Sequence, residues 1–251
     1  MKSILGPMRR AILEFNQIQN GDKICVGVSG GKDSLVLLYA LSEYRKFKDA
    51  KFDLVAVSID QSNGNTNFDE VKELCKTIAV PYKVVNAPIF DVIFNLRKEK
   101  NPCSLCATMR RGALNNAAKE FGCNKVALAH HKDDLLQTFF LSLFHEGRLS
   151  TFLPVTYLSK MDLHVIRPLI YVSEQTISSV AKAFELPIVK NPCPINKKTQ
   201  REEMKNLIAK IENEFPSSKE LAFLAITHPE RINLPGIGKI DTNINRKNSK
   251  I

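Results

Sequence analysis

Lys23-Ile24-Cys25-Val26-Gly27-Val28-Ser29-Gly30-Gly31-Lys32-Asp33-Ser34-Leu35 is the stretch that decides the fold. Lys23 to Val28 are mostly apolar and rich in strand formers, and Leu35 to Tyr39 continue as an apolar helix, giving strand, glycine turn and helix start. Such a turn leaves unpaired backbone N–H groups at a helix N-terminus, where the macrodipole favours negative charge. Two glycines let an anion approach with no Cβ in the way. Lys32 adds a point charge for the same anion, and Asp33 and Ser34 are placed to cap N–H groups or to hold a metal or a phosphate oxygen.

The commonest phosphate loops do not fit. A P-loop needs glycine where Val26 stands and Ser or Thr where Asp33 follows the lysine, and a dinucleotide fingerprint needs glycine at Ser29. Ser29 to Ser34 instead resemble the SGGxDS loop of the ATP-pyrophosphatase (PP-loop) family. That resemblance implies a cradle for the β,γ-diphosphate of ATP, adenylation of a substrate oxygen and release of pyrophosphate. An ordinary tight turn would explain the two glycines but not the Ser, Lys, Asp and Ser beside them.

Outward from the loop, the chain alternates. Met1 to Gln19 reads as an amphipathic helix; Phe52 to Ile59, Pro81 to Val85, Lys125 to Ala129 and Leu163 to Pro168 read as further strands. Phe68 to Ile78, a segment from Asn101 to Phe121, Leu135 to Phe144 and Ser173 to Phe184 read as helices, the last capped by Ser173. This predicts an α/β fold, a doubly wound parallel sheet of the PP-loop kind, followed by a basic helical C-terminal extension (Thr199 to Glu214, Ser217 to Ile226). The expected divisions are an N-terminal helix at 1–22, the ATP-binding domain at 23–190, the basic extension at 191–230 and a mobile tail at 231–251. In such sheets ligands bind beyond the carboxyl ends of the strands. That rule marks Ser29 to Ser34, Asp60, and His130-His131-Lys132-Asp133-Asp134, and predicts that the three converge.

With 251 residues and 44% hydrophobic content the chain supports a full core. No apolar run approaches the ~20 residues that cross a bilayer, and Met1 to Arg10 lack a signal region, so the expectation is a cytoplasmic protein without a membrane partner. The net charge of +10 suits a polyanion binder. Between Lys190 and Lys210 six basic residues face two acids, and Arg97, Lys98, Lys100, Arg110 and Arg111 surround a cysteine pair. Arg111, Lys197, Lys198 and Arg201 are the candidates for RNA contact. Phe139, Phe140 and Phe144 read as core rather than as a stacking platform, so base recognition is unassigned.

Six cysteines without an export signal argue for thiol, metal or redox chemistry rather than disulfides. Cys103 and Cys106 open the 101–121 helix, where the dipole predicts depressed thiol pKa values, aided by Arg110. Half a zinc site, a dithiol pair and iron–sulfur ligands all fit that spacing. Cys193, between Pro192 and Pro194, is a further loop cysteine; Cys25, Cys75 and Cys123 read as buried thiols.

A wider resemblance then narrows the choice. Cys103-x-x-Cys106 followed by Arg110-Arg111-Gly112, then Ala129-His130-His131-x-Asp133-Asp134-x-x-Gln137-Thr138, then Ile166-Arg167-Pro168-Leu169, then Pro192-Cys193, is similar over about residues 5 to 210 to the tRNA 2-thiocytidine synthetase (TtcA-like) family. The resemblance implies a [4Fe–4S] cluster on Cys103, Cys106 and Cys193, with one iron left open to hold sulfide; lone thiolates acting as persulfides are the competing arrangement. It also implies ATP on Val28, Ser29, Gly30, Gly31, Lys32, Asp33, Ser34, Ile59, Ala129 and Asp134. Asp60 and Asp134 are candidates for Mg²⁺ binding or proton transfer, and Lys32 and Arg110 for phosphate or transition-state charge. The partners are tRNA, ATP and a sulfur donor, either sulfide or a cysteine desulfurase persulfide; a homodimer stays open. The implied reaction is adenylation of the C2 oxygen of an anticodon-loop cytidine and its replacement by sulfur. The rivals are 2-thiouridine formation, a PP-loop ligase such as lysidine synthetase, and a non-enzymatic metal-stapled RNA-binding module. Two departures from the family pattern are Ala129, often glycine before the paired histidines, and Asn196, where many members carry a further cysteine.

Overall fold

The computed structural model describes residues 1–47, 51–62, 64–97, 102–189, 193 and 200–234. Six strands form one sheet in the order β3-β2-β1-β4-β6-β5. They are β1 (Lys23–Gly27), β2 (Asp53–Asp60), β3 (Tyr82–Asn86), β4 (Lys125–Ala127), β5 (Val155–Leu158) and β6 (Leu163–Ile166). β1 pairs in parallel with β2 and β4, β2 with β3, and β4 with β6. The order reverses at β1, which places the switch point between the ends of β1 and β4.

The expected parallel sheet is formed by five strands; β5, an edge strand that the sequence did not announce, pairs antiparallel with β6. It has only four residues, and the turn that joins it to β6 places Asp162 at φ 46° without a glycine to announce it. The sequence therefore carries neither alternation nor turn chemistry strong enough to mark a hairpin there.

Helices cover both faces. α1 (Lys2–Glu14), α2 (Lys32–Tyr44), α3 (Asp69–Thr77) and α6 (Glu174–Ala183) contribute to one core cluster; α4 (Pro102–Glu120) contributes Leu114, Ala117 and Ala118 to the other. α2 is apolar nearly all round, with Leu35, Val36, Leu37, Leu38, Ala40 and Leu41 fully buried. Each such leucine is worth about 1.5–3 kcal/mol of burial, so the helix that opens the glycine turn is a rigid post. α5 (Lys132–Leu141) follows β4.

The amino ends of the strands are held by a buried polar net. Lys125 Nζ lies 2.7 Å from Asp22 Oδ2 and donates to the Gln17 carbonyl at 2.9 Å. Asp22 also accepts from the Gln19 N–H and from Asn124 Nδ2, and the Arg167 N–H donates to Gln17 Oε1. With every partner satisfied, the pair ties the segment after α1 to β4 and β6.

Several helices end on a left-handed residue. Asn16, Ala79 and Glu185, at φ 48°, 50° and 48°, follow α1, α3 and α6. In each case the next N–H reaches back to a carbonyl of the last turn: Gln17 to Ile12, Val80 to Cys75 and Leu186 to Ala181.

Compactness divides the chain into two units, Met1–Leu135 with Phe152–Asn196, and Leu136–Thr151 with Lys197–Ile251. The second contains α7 (Gln200–Glu214) and α8 (Ser218–Thr227), where Glu212 receives the N–H groups of Ser217 and Lys219 and the Ser218 hydroxyl. No described helix is long and apolar enough to cross a membrane. Lys190, Lys197, Lys198, Asn196 and the expected tail beyond Leu234 lie outside the described residues.

Candidate active site

The loop after β1 is wired to itself. Ser34 Oγ accepts the Ser29 N–H at 3.1 Å and donates to the Gly31 carbonyl at 2.9 Å, and Ser29 Oγ accepts the Gly31 N–H at 3.3 Å. Gly30 takes φ +80°, and a Cβ there would lie 2.7 Å from Val189 Cβ, so glycine is required on two counts. Gly31 has an ordinary φ of −77°, and a Cβ on it would meet only Ser29 Oγ at 3.4 Å. Its bareness therefore serves no packing purpose among the described residues. Gly31 is the N-cap of α2, and no side chain caps that end among the described residues.

Lys32 Nζ lies 2.7 Å from Asp33 Oδ1 and 3.1 Å from Glu174 Oε1. Burial works to lower the lysine, but the two carboxylates outweigh it and hold it above its usual value. Asp33 thus pairs its neighbour rather than capping its own helix. Glu174 went unread in the sequence because it stands 142 positions from Lys32.

The 130–134 segment meets the same cluster. His131, 4% exposed, has Asp33, Asp133 and Asp134 oxygens at 3.8, 3.7 and 3.4 Å. Asp134 Oδ2 accepts the His131 N–H at 3.1 Å, a reach back across the start of α5. Asp133 accepts the Glu174 N–H at 2.7 Å, a first-turn donor of α6, whose N-cap is Ser173. The loop, the paired aspartates and α6 are joined through side chains distant in sequence.

Asp60, 2% exposed, ends β2. Its Oδ1 accepts the N–H and hydroxyl of Ser62 and the Thr66 hydroxyl, and its Oδ2 accepts the Gly64 N–H at 2.7 Å. Burial would raise this carboxyl, but the bonds from Ser62, Gly64 and Thr66 together hold it below the usual range. Val28 is buried in the core, so its backbone rather than its side chain borders the loop. Ile59 packs on the α4-side cluster and Ala129 on the opposite one, so these two expected nucleoside neighbours do not share a face.

The thiols lie on the same edge. Cys106 Sγ donates to Oε1 of Gln61, the residue after Asp60, at 2.9 Å. Burial pushes the Cys106 thiol up, Arg110 pulls it down, and Cys193 and Cys103 push it up again. The net rise overturns the expected depression: partial burial and neighbouring sulfurs outweigh the guanidinium. It also shows that Cys193 stands within electrostatic reach of the pair. Val189 donates its N–H to the Gly30 carbonyl at 3.0 Å. Four residues span at most about 14 Å, so the late cysteine is tethered near the loop. Three soft donors that repel one another are the donor set a thiophilic metal centre relieves. Among the described residues no three His, Cys, Asp or Glu side chains stand in closed metal-binding geometry; the thiols converge without closing. Cys25, Cys75 and Cys123 are buried, as expected. A cleft of about 410 Å³ lined by Lys23, Asp53 and Tyr82 opens at the other edge, where β1, β2 and β3 begin, away from these groups.

The sequence pattern of the PP-loop domain matches residues 6–211. The tRNA-cytidine(32) 2-sulfurtransferase of Anaeromyxobacter sp. (strain K) is 36% identical over 231 residues, covering 90% of this chain and 79% of that protein. The chain belongs to the PP-loop family, in its tRNA 2-thiocytidine synthetase branch. A second such synthetase, the tRNA-cytidine(32) 2-sulfurtransferase of Histophilus somni (strain 2336), is 39% identical over 222 residues, 86% of this chain and 69% of that one. Among solved structures, the U34-tRNA thiolase NcsA from Methanococcus maripaludis, with its [4Fe–4S] cluster, matches at TM-score 0.72 and 26% identity over 92% of this chain and 80% of that one. NH3-dependent NAD synthetase from Campylobacter jejuni shares the fold at TM-score 0.50 and 16% identity, over 94% of this chain and 98% of that one.

Of the residues expected to meet RNA in this synthetase-family chain, Arg111 is exposed on α4, and Arg201, in the second unit, donates to Thr138 Oγ1 at 3.1 Å.

Proposed function

We propose that this protein is an ATP-dependent tRNA sulfurtransferase that converts an anticodon-loop cytidine to 2-thiocytidine, with release of AMP and pyrophosphate. The observation that supports this reading best is the tether of the thiol segment to the ATP loop, Val189 to Gly30, with Cys106 bonded to Gln61 at the neighbouring strand end. Relatives at 36–39% identity carry the cytidine name, against 26% for the uridine thiolase, which favours cytidine.

Gly31 and the open end of α2 receive the β,γ-diphosphate, and Lys32 exchanges its carboxylate partners for phosphate oxygens as ATP arrives. The cytidine C2 oxygen attacks the α-phosphate, its new P–O bond forming as the bond to pyrophosphate breaks. Sulfide then bonds to C2 as the C2–O bond breaks, and AMP departs with the oxygen. Asp60, committed to four donors, orders the 60–66 turn that presents Gln61 to Cys106. Asp134, beside His131 and the loop, is the better-placed carboxylate for Mg²⁺ or for a proton. Cys103, Cys106 and Cys193 would hold a [4Fe–4S] cluster, whose chemistry is to present soft sulfide as a nucleophile. Arg110, one turn beyond Cys106, balances charge beside the thiols. Sulfide supplies the sulfur directly; a persulfide delivered by a cysteine desulfurase supplies it once a thiol has cleaved the S–S bond, releasing sulfide and leaving a disulfide.

Anaerobic purification with absorption spectroscopy and iron and zinc analysis tests the cluster, and AMP release with tRNA, ATP and sulfide tests the reaction. Iron, and 2-thiocytidine detected by mass spectrometry of the digested tRNA, are expected. Zinc without iron would end the cluster assignment, and AMP formation undiminished in Cys103→Ser would point to a ligase.

A further inference from the structure

Lys32 is held between two helix starts. Its Nζ lies 2.7 Å from Oδ1 of Asp33, its neighbour on α2, and 3.1 Å from Oε1 of Glu174, the first residue of α6. α6 does not need that carboxylate for its own end. Ser173 Oγ accepts the Thr176 N–H at 3.2 Å, and Asp133 Oδ2 accepts the Glu174 N–H at 2.7 Å. With those donors served, the Glu174 side chain reaches across to the ATP loop, and the bond from its N–H to Asp133 fixes where it starts from. Lys32, Asp33 and Glu174 keep 28, 34 and 24% of their side-chain surface exposed, so an incoming phosphate reaches the lysine without unpacking the core.

Two carboxylates on one ammonium leave an excess of negative charge where a polyanion has to arrive. The two are not equivalent. Asp33 follows Lys32 directly in the chain, whereas Glu174 stands 142 positions away, on another helix and at the end of a longer side chain. We propose that Glu174 is a displaceable counter-ion: it holds Lys32 in the empty loop, yields the lysine to the β,γ-diphosphate of ATP, and takes it back as pyrophosphate leaves. Glu174 is thus a positioning residue that acts through Lys32 and sets the affinity of the loop for polyphosphate. Its hold weakens ATP binding and equally favours departure of pyrophosphate, so that the loop empties for the next turnover. This rests on the phosphate site assigned above and adds a residue that the glycine loop itself does not contain.

The test is isothermal titration calorimetry of ATP, pyrophosphate and AMP, at one fixed MgCl2 concentration and without tRNA, on the full chain as wild type, Glu174→Gln and Glu174→Asp. Thermal unfolding of each protein runs alongside and should stay near the wild type. Glu174→Gln keeps the shape of the side chain and the backbone bond to Asp133 but drops the charge. It should bind ATP and pyrophosphate each about tenfold more tightly, the gain from removing a partner that occupies the lysine about nine-tenths of the time. AMP, which lacks the β,γ-diphosphate, should bind as it does to the wild type. Glu174→Asp keeps the charge but ends one methylene short of Lys32, so it should move the same two affinities in the same direction by a smaller factor. ATP and pyrophosphate affinities unchanged in either variant overturn the proposal. So do weaker ones, which would make Glu174 a support of the phosphate site rather than a competitor for it. A gain that extends equally to AMP also overturns it, because the pocket as a whole would then have changed. A wild type that binds neither ATP nor pyrophosphate would instead sink the phosphate site on which the proposal rests.

Discussion

Val189 reaches the carbonyl of Gly30 at 3.0 Å, so the segment leading to the late cysteine is bonded to the crown of the ATP loop. The two glycines of that crown differ in what a methyl group would do. Gly30→Ala combines φ +80° with a 2.7 Å clash against Val189 and should cost about 1–3 kcal/mol in thermal or urea unfolding. Gly31→Ala meets only a 3.4 Å contact and should unfold near the wild type, yet lose ATP binding measured calorimetrically. Equal ATP affinity in Gly31→Ala would remove the phosphate from this turn.

Asp60→Asn should destabilise by about 1–3 kcal/mol at pH 7, since the side chain keeps one acceptor oxygen for four donors. The Asp60 carboxyl lies below its unfolded value, so its contribution is present above about pH 4 and is lost as pH falls through the folded value. Urea melts of both proteins should therefore converge in acid. A gap that persists unchanged at low pH would assign the effect to packing.

The cysteines should separate by reactivity in protein stripped of metal. Burial pushes Cys75 up to about 12 and Cys25 further still, so both should resist a disulfide reagent at pH 8 until the chain unfolds. Cys103, exposed, and Cys193, half-buried, should react first. Peptide mapping after brief labelling reads the order directly.

Lys125→Met leaves Asp22 buried at 5% side-chain exposure without its cation and should cost about 3–5 kcal/mol. Adding Asp22→Asn should recover part of that loss. Both changes lie at the amino ends of the strands, so ATP binding by the folded fraction should hold steady.

How much was legible follows the range of each interaction. Ser29 to Ser34 and the alternation of strands and helices are local signals, and they placed the loop and five of the strands. The Lys32–Glu174 pair and the bond from the Glu174 N–H to Asp133 are tertiary, between residues with no shared periodicity. The expected low pKa at Cys106 failed for the same reason: the helix start was visible, but the surrounding thiols and the burial were not. Val155–Leu158 was missed because four residues against an edge carry too little pattern.

Ala79 and Glu185 turn their helices off with left-handed backbone and no glycine. Each holds a conformation that disfavours a side chain by about 1–2 kcal/mol. Putting glycine at either would draw on an untouched thermal reserve, offering a sturdier scaffold on which impaired catalytic variants could still be purified and assayed.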